Sequence, residues 1–226
     1  MNKVKVVSAF VPLQVKHLTQ TQYHEYGSKL RDACGGRLHV FEHPLSECWA
    51  YQFRHLQPAT ATPADRYETP QDHVNSHIVQ HNRTLWALRT LAEYPDTDIL
   101  VWLDYGILKQ GQWNGKPVTE QHVADFIVAL EHKNLDHIPF PGIEPMKQLD
   151  PFGNNWRFCG STHIWPRQWI SKINLCYRES LEAFVHMHAC LPLDLAIWPM
   201  VEFNSGLPFR QYKADYDATQ LTELPK

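Results

Sequence analysis

Apolar positions along the chain form two kinds of pattern, continuous runs and spaced repeats. Residues 4–10 form a short β-branched run that predicts a strand. Residues 99–103 (Ile-Leu-Val-Trp-Leu) form an unbroken apolar run, which is typical of a strand buried on both faces of a parallel sheet. Between these runs, apolar residues recur at helical spacing from Ile78 to Ala92, behind a possible cap at Asn75, and this spacing predicts a helix.

The rest of the chain continues this alternation of strand and helix patterns. Residues 44–72 contain four prolines and little periodicity, which predicts a long loop or a broken helix. The alternation favours an α/β fold with a mostly parallel central sheet flanked by helices. Further strands are predicted over residues 37–42, 138–143, 158–165 and from 209 onward, and further helices over residues 22–34, 120–132, 167–189 and 194–201.

Composition excludes several classes of protein. The 226 residues are 43% hydrophobic and 20% charged, which is typical of a globular protein with a sizeable core. A formal net charge of -3 argues against a polybasic surface for nucleic acid or anionic lipid. Five cysteines without a C-x-x-C pair suit a reducing compartment, and no long apolar stretch or signal peptide is visible, so we expect a cytoplasmic protein without membrane insertion.

The strongest chemical signal is the sequence Trp-Leu-Asp-Tyr-Gly at the end of the apolar run, with Asp104 as its carboxylate. Together with the basic helical segment 83–92, it resembles the nucleotide-sugar glycosyltransferases of the GT-A fold. The resemblance is closest to the bacterial HtrL/YibB-like glycosyltransferase group, whose strand ends in W-I-D-F-G, and it covers roughly residues 75 to 206. It implies a single GT-A-like domain, with a nucleotide-binding half over residues 1–106 and an acceptor half over residues 107–226.

The resemblance also implies an activity, the transfer of a sugar from a nucleotide diphosphate sugar, such as a UDP-sugar, to a hydroxyl. It implies a divalent metal, commonly Mn²⁺ with Mg²⁺ as an alternative, between Asp104 and the donor diphosphate. Physical chemistry agrees, because a departing nucleoside diphosphate builds negative charge that a hard cation neutralises. Gly106 stands where related motifs carry a second aspartate, so one acidic ligand remains instead of two.

Individual residues are assigned to this site from the same resemblance. Asp194, near a predicted helix start, is predicted to be the catalytic base, with a helix cap as the alternative. Asp104 and Asp217 are predicted metal ligands, the second from the Asp-Tyr-Asp of the tail. The predicted donor-binding residues are Arg83, Asp104, Tyr105, Gly106, Trp156, Gly160 and Ser161.

Other readings stay open at this point. His73, His77 and His81 are spaced to share one helix face, and we interpret them as a polar wall facing the donor rather than a zinc site. Cys159 and His163 could form a cysteine hydrolase, although they stand about 13 Å apart on a strand. A binding module that has lost catalysis is the main alternative. The acceptor is not readable and could be a glycan, a protein or a hydroxymethylated DNA base, and the oligomeric state is equally open.

Overall fold

The computed structural model describes residues 1–13, 19–59, 69–111, 115–143 and 157–224. These residues form six strands and seven α-helices in an alternating order. The strands are β1 (Val4–Ala9), β2 (Leu38–Phe41), β3 (Ile99–Leu103), β4 (Ile138–Gly142), β5 (Thr162–Pro166) and β6 (Phe209–Lys213). The helices are α1 (Gln20–Cys34), α2 (Pro70–Gln80), α3 (Arg83–Glu93), α4 (Glu120–Glu131), α5 (Arg167–His188), α6 (Asp194–Ser205) and α7 (Thr219–Thr222).

The central sheet has four strands in the order β2-β1-β3-β5. β1 runs parallel to both β2 and β3, whereas β5 runs antiparallel to β3. The predicted α/β fold with a mostly parallel central sheet is therefore confirmed. β4 and β6 form a separate parallel pair. Because β5 is reversed, its first residue, Thr162, lies beside Leu103 at the carboxyl end of β3.

The two faces of β3 bury two hydrophobic cores. Leu100 and Trp102 pack into one core, while Val101 and Leu103 pack into the other, because side chains alternate across a strand. The first core contains apolar residues of α3, α5 and α6, and the second contains those of α1 and α4. An unbroken apolar run is the pattern that a strand covered on both faces requires.

Most predicted helices form within a few residues of their expected bounds. Thr19 and Thr119 cap α1 and α4 with reciprocal side-chain hydrogen bonds. The helix predicted behind Asn75 is wrong in its start, because α2 begins at Pro70 and its cap is Thr69. It is also wrong in its continuity, because the chain breaks before Arg83 and forms two helices.

The strand predicted over residues 158–165 also starts later than expected. The Cys159 N–H donates to the carbonyl of Pro141, and the Gly160 N–H donates to the Tyr216 hydroxyl. These donors leave the register of the central sheet, so β5 begins only at Thr162. Within the described part of the chain, no helix is both long and apolar enough to cross a membrane.

Candidate active site

A cleft opens at the carboxyl ends of β1 and β3. Its walls come from residues 9–13 after β1, from Tyr23 of α1, from Ser76 and Gln80 of α2, and from the segment 104–110 after β3. The described walls enclose about 210 Å³, less than the volume of a typical drug-sized ligand site. They therefore accommodate part of a molecule as large as a nucleotide sugar. In open α/β sheets this edge is where ligands bind.

Asp104 is held at the floor of the cleft by contacts with β1, with β3 and with Ser161, the residue before β5. The Ser8 hydroxyl of β1 donates to the carbonyl of Leu103 over 2.7 Å, and the Asp104 N–H donates to the carbonyl of Ser161 over 3.0 Å. The Trp102 indole N–H donates to Oδ1 of Asp104 over 2.8 Å. Oδ2 makes no hydrogen bond to any residue that the structure describes, and the side chain is 34% exposed. Asp104 therefore presents one oriented oxygen to the cleft.

Arg83, the first residue of α3, lies beneath that carboxylate. Nη2 donates to Oδ1 of Asp104 over 3.1 Å, and Nη1 donates to Oδ2 of Asp194. Burial opposes the charge of Arg83, but Asp104 and Asp194 outweigh it and hold the pKa of Arg83 above its ordinary value. The guanidinium is thus charged, with 8% of its side chain exposed between two carboxylates.

Asp194, the predicted base, begins α6 and points at Arg83. Its side chain is 3% exposed and does not line the cleft. Burial raises the pKa of Asp194, and the charge of Arg83 only partly offsets this. The structure therefore brings Arg83, Asp104 and Asp194 together, as a buried cluster whose Asp104 end reaches the cleft.

Two histidines fix the segment that leads into Asp194. Nδ1 of His77 and Nε2 of His81 both donate to the carbonyl of Pro192, over 2.9 and 2.8 Å. Since Nε2 of His81 carries a proton, its Nδ1 accepts a hydrogen bond from the Tyr177 hydroxyl over 2.8 Å. Burial lowers the pKa of His77 to about 4 and the pKa of His81 to about 3, so both rings are neutral.

The interpretation of these histidines as a polar wall facing the donor is therefore wrong. Each of His73, His77 and His81 is buried, and none lines the cleft. The residues of α2 that face the cleft are Ser76, Val79 and Gln80 instead. The carbonyl of Pro192, more than a hundred positions along the chain, accounts for the burial of the His77 and His81 rings.

Gly160 and Ser161 lie behind the charged cluster rather than on the cleft surface. A Cβ atom on Gly160 would stand 3.3 Å from both Nη1 of Arg83 and Oδ2 of Asp194, so a larger residue would crowd this ion pair. The Ser161 hydroxyl donates to Oε1 of Gln220 over 2.7 Å and is buried. The contact of Gly160 and Ser161 with a donor stays a prediction. The contacts observed include those with Arg83, Asp194 and Gln220 of the protein itself.

Tyr105 and Gly106 are seated on α1. A Cβ atom on Gly27 would fall 1.9 Å from Cζ of Tyr105, so the Tyr105 ring fills a notch that only glycine leaves open in this helix. A Cβ atom on Gly106 would lie 3.1 Å from Cε1 of Tyr23, so the Tyr23 ring covers the turn after Asp104. Both residues line the cleft, as predicted for donor-binding positions, and α1 sets their placement.

Both oxygens of Asp217, the second predicted metal ligand, accept hydrogen bonds from Lys116 and Thr219. Oδ2 accepts from the Lys116 N–H over 3.0 Å, and Oδ1 accepts from the Thr219 N–H over 2.8 Å and from the Thr219 hydroxyl. Burial would raise the pKa of Asp217, but these hydrogen bonds outweigh it and lower the pKa. Trp156, a further predicted donor contact, lies outside the described residues.

The described residues do not form a metal site by themselves. Among them, no three His, Cys, Asp or Glu side chains cluster closely enough to hold an ion. Asp104 offers one open oxygen, and its other oxygen already accepts from Arg83 and Trp102. The guanidinium 3.1 Å from that carboxylate also repels a second cation. The described residues alone therefore do not fit the divalent metal that the sequence resemblance implies.

The cysteine hydrolase alternative is wrong, because Cys159 is buried and unreactive. Its thiol donates to the carbonyl of Ala214, and burial raises its pKa to about 12. A nucleophilic cysteine needs a lowered pKa and access to substrate. His163 is also buried, stacked on the ring of Trp165, and is not placed as a base for an external substrate.

Lys109 and Tyr23 are among the cleft residues that sequence reasoning missed. Nζ of Lys109 donates to the Tyr23 hydroxyl over 3.0 Å. Lys109 follows the Trp-Leu-Asp-Tyr-Gly sequence by three positions, so proximity to that motif was the available signal. Nothing in the sequence marks Tyr23, which reaches the site only because α1 packs beside the turn at Gly106.

Comparison with known proteins gives a match in structure. The chain matches no protein-family model and no curated protein in sequence. Among solved structures, it is similar to a glycosyltransferase involved in the glycosylation of the major capsid of PBCV-1. The TM-score is 0.51 at 11% sequence identity, and the match covers 94% of this chain and 81% of that chain. The HtrL/YibB-like group is not confirmed by these matches, and what they establish is that the chain has a glycosyltransferase-like fold.

Proposed function

We propose that this protein transfers a sugar from a nucleotide diphosphate sugar to an acceptor hydroxyl. The observation that carries the proposal is the open oxygen of Asp104, oriented by Trp102 and Arg83 at the carboxyl edge of the sheet. A carboxylate at this place on a glycosyltransferase-like fold suits the binding of donor hydroxyl groups. The neighbouring structure's role in glycosylation supports the same class of reaction.

The reaction requires one bond to form and one to break. The bond between the anomeric carbon and the diphosphate oxygen breaks, and the nucleoside diphosphate leaves with the electron pair. The acceptor oxygen forms the new bond to that carbon, and its proton passes to a base. The protein has to orient the donor and stabilise the negative charge that develops on the leaving group.

We assign two roles within the buried cluster. Asp104 touches the donor through its open oxygen. Asp194 acts through Arg83, because its carboxylate is buried against the guanidinium and not turned toward the cleft. Asp194 is then a positioning residue rather than the base of the reaction.

The test is release of nucleoside diphosphate from a panel of UDP-, GDP- and dTDP-sugars by the purified protein. We expect at least one donor to be turned over, slowly by water and faster with an acceptor. Asp104→Asn keeps the shape and removes the charge, so donor affinity should weaken by about 1.5 to 3 kcal/mol, the worth of a charge-assisted hydrogen bond. Asp32→Asn removes an exposed carboxylate of α1 and is the matched control, expected to behave as the wild type.

Two outcomes would contradict the proposal. Equal donor affinity in wild type and Asp104→Asn would remove the role of Asp104. Binding of a nucleotide sugar without release of nucleoside diphosphate, under any acceptor condition, would mean that the protein is a binding module of the same fold.

A further inference from the structure

The space beside Gly106 is filled by an aromatic ring and the stem of a lysine. A Cβ atom at position 106 would lie 3.1 Å from Cε1 of Tyr23 and 3.6 Å from Cδ of Lys109. The φ angle of Gly106 is -99°, which any residue adopts, so the backbone does not require glycine here. A side chain at position 106 would therefore require a small shift of the Tyr23 ring, whereas the stem of Lys109 would stay in ordinary van der Waals contact.

Lys109 is placed in the cleft by the turn that follows Asp104. The Ile107 N–H donates to the carbonyl of Asp104 over 2.8 Å, and the Lys109 N–H donates to the carbonyl of Gly106 over 3.0 Å. The ammonium then donates to the Tyr23 hydroxyl and stands 4.9 Å from the centre of the Tyr23 ring. Tyr23 thus orients the ammonium without neutralising it.

Arg83 and Lys109, the two cations among the described residues of the cleft, differ in how far carboxylates compensate their charge. Arg83 is paired with both Asp104 and Asp194. Lys109 forms no ion pair with any carboxylate in the described ranges. Its positive charge is therefore available to an anionic ligand, whereas the charge of Arg83 is already balanced.

We propose that Lys109, oriented by Tyr23, binds the diphosphate of the donor, so that donor binding does not depend on a divalent cation. This inference rests on the proposed function, which supplies the nucleotide diphosphate sugar. A lysine ammonium is a compact point charge that suits phosphate oxygens. It supplies the positive charge that a metal would otherwise bring, at the position where this chain lacks the second metal-binding carboxylate.

The test measures the affinity of UDP, GDP and dTDP by calorimetry in the presence of EDTA and again with manganese. We expect one nucleoside diphosphate to bind in EDTA, with an affinity that manganese changes less than about threefold. Lys109→Met should weaken this binding by about 10- to 100-fold, as expected for the loss of a charge-assisted contact. Lys29→Met removes an exposed lysine of α1 and is the control, expected to match the wild type.

A second variant checks the same idea from the opposite side. Gly106→Asp adds a carboxylate next to Lys109 and should also weaken binding in EDTA, by about 10-fold, because it compensates the ammonium. Thermal unfolding of both variants identifies any that fail to fold. In that case Tyr23→Phe is the replacement test, because it keeps the ring and removes the hydroxyl that orients Lys109. It should weaken binding by less than the loss of about 10-fold or more expected for the other variants.

The outcomes separate this inference from the proposed function. Binding that occurs only with manganese, or an unchanged affinity in Lys109→Met, would overturn the role of Lys109 and leave the transferase proposal intact. A protein that binds no nucleoside diphosphate under either condition would overturn both.

Discussion

The chain contains two triplets that begin with Asp-Tyr, at residues 104–106 and 215–217, and the structure uses their carboxylates in different ways. Asp104 follows a strand buried on both faces, and the side chains of Trp102 and Arg83 hold one of its oxygens. Asp217 lies in the tail, and the backbone N–H groups of Lys116 and Thr219 hold its two oxygens. Only Asp104 lines the cleft.

The difference shows that position relative to the sheet, and not the local motif, decides what a carboxylate can do. The tail reads formally as D-x-D, yet its second aspartate joins Lys116 to the start of α7. The triplet at residues 104–106 has glycine in place of a second aspartate, yet Asp104 keeps one oxygen open to the cleft. The following three variants or conditions test this contrast, in order of decreasing effect.

Removal of Arg83 should have the largest effect, because this buried cation is the charged partner of both Asp104 and Asp194. Asp217 has no ion pair with a described residue. In Arg83→Met, Asp194 stays buried without its partner, and we expect a loss of about 3 to 5 kcal/mol in the free energy of unfolding. Urea unfolding measures this loss. Arg89→Met, at an exposed position of the same helix, should change stability by less than about 0.5 kcal/mol.

A double variant separates charge from packing. Arg83→Met with Asp194→Leu removes both members of the buried pair, so we expect it to recover much of the lost stability while donor binding stays weak. If Arg83→Met alone were as stable as the wild type, the ion pair would not support the fold as described.

Acid should act next, through the neutral histidines behind Asp194. The folded-state pKa values of about 4 and about 3 for His77 and His81 lie below the ordinary value of 6.5, so the unfolded chain binds protons more readily. Their contribution to stability is complete above pH 6.5 and falls as the pH decreases toward 4. The slope should approach about 1.4 kcal/mol per pH unit for each histidine.

Unfolding in urea at a series of pH values between 4 and 7 measures that slope. His81→Gln keeps an N–H donor near the position of Nε2 and cannot be protonated, so it should lower the slope by about one proton. A slope identical to that of the wild type would contradict the assignment of His81 as a neutral buried ring.

Asp217→Asn should have the smallest effect, and a purely structural one. The amide keeps one acceptor oxygen but loses the charge that strengthens the contacts with Lys116 and Thr219, so we expect a loss of about 1 kcal/mol in stability. Donor affinity should stay unchanged, in contrast to Asp104→Asn. A loss of donor affinity with unchanged thermal stability would instead restore Asp217 as a ligand.

The fold class and the position of Asp104 were predictable, because the sequence patterns that indicate them are local. The apolar run that ends at Asp104 indicated a buried strand and the carboxylate that leaves it. The start of α2 was missed because Thr69 and Pro70 lie in a segment whose prolines indicated a loop. Proline at the first position of a helix is compatible with both readings until the structure is known.

The contact between Arg83 and Asp194 was less predictable, because it depends on the approach of two distant segments. Arg83 and Asp194 are 111 positions apart, and no periodicity in one sequence indicates that they meet. The same holds for the histidines of α2, where helical spacing predicted a shared face but not which face would meet Pro192. Tertiary packing decides such pairings, and the local patterns of a single sequence do not show which distant residues meet.

Gly27 has a consequence for attempts to engineer this protein. Glycine within a helix is less favourable than alanine by about 1 kcal/mol, so Gly27→Ala in α1 would be an obvious choice for raising thermal stability. In this helix the Tyr105 ring, which forms part of the cleft, occupies the space that the methyl group of an alanine would need. A sequence stabilised by helix propensity alone would therefore displace Tyr105 from the cleft. Gly27 lowers the intrinsic stability of α1 but is required for the shape of the site.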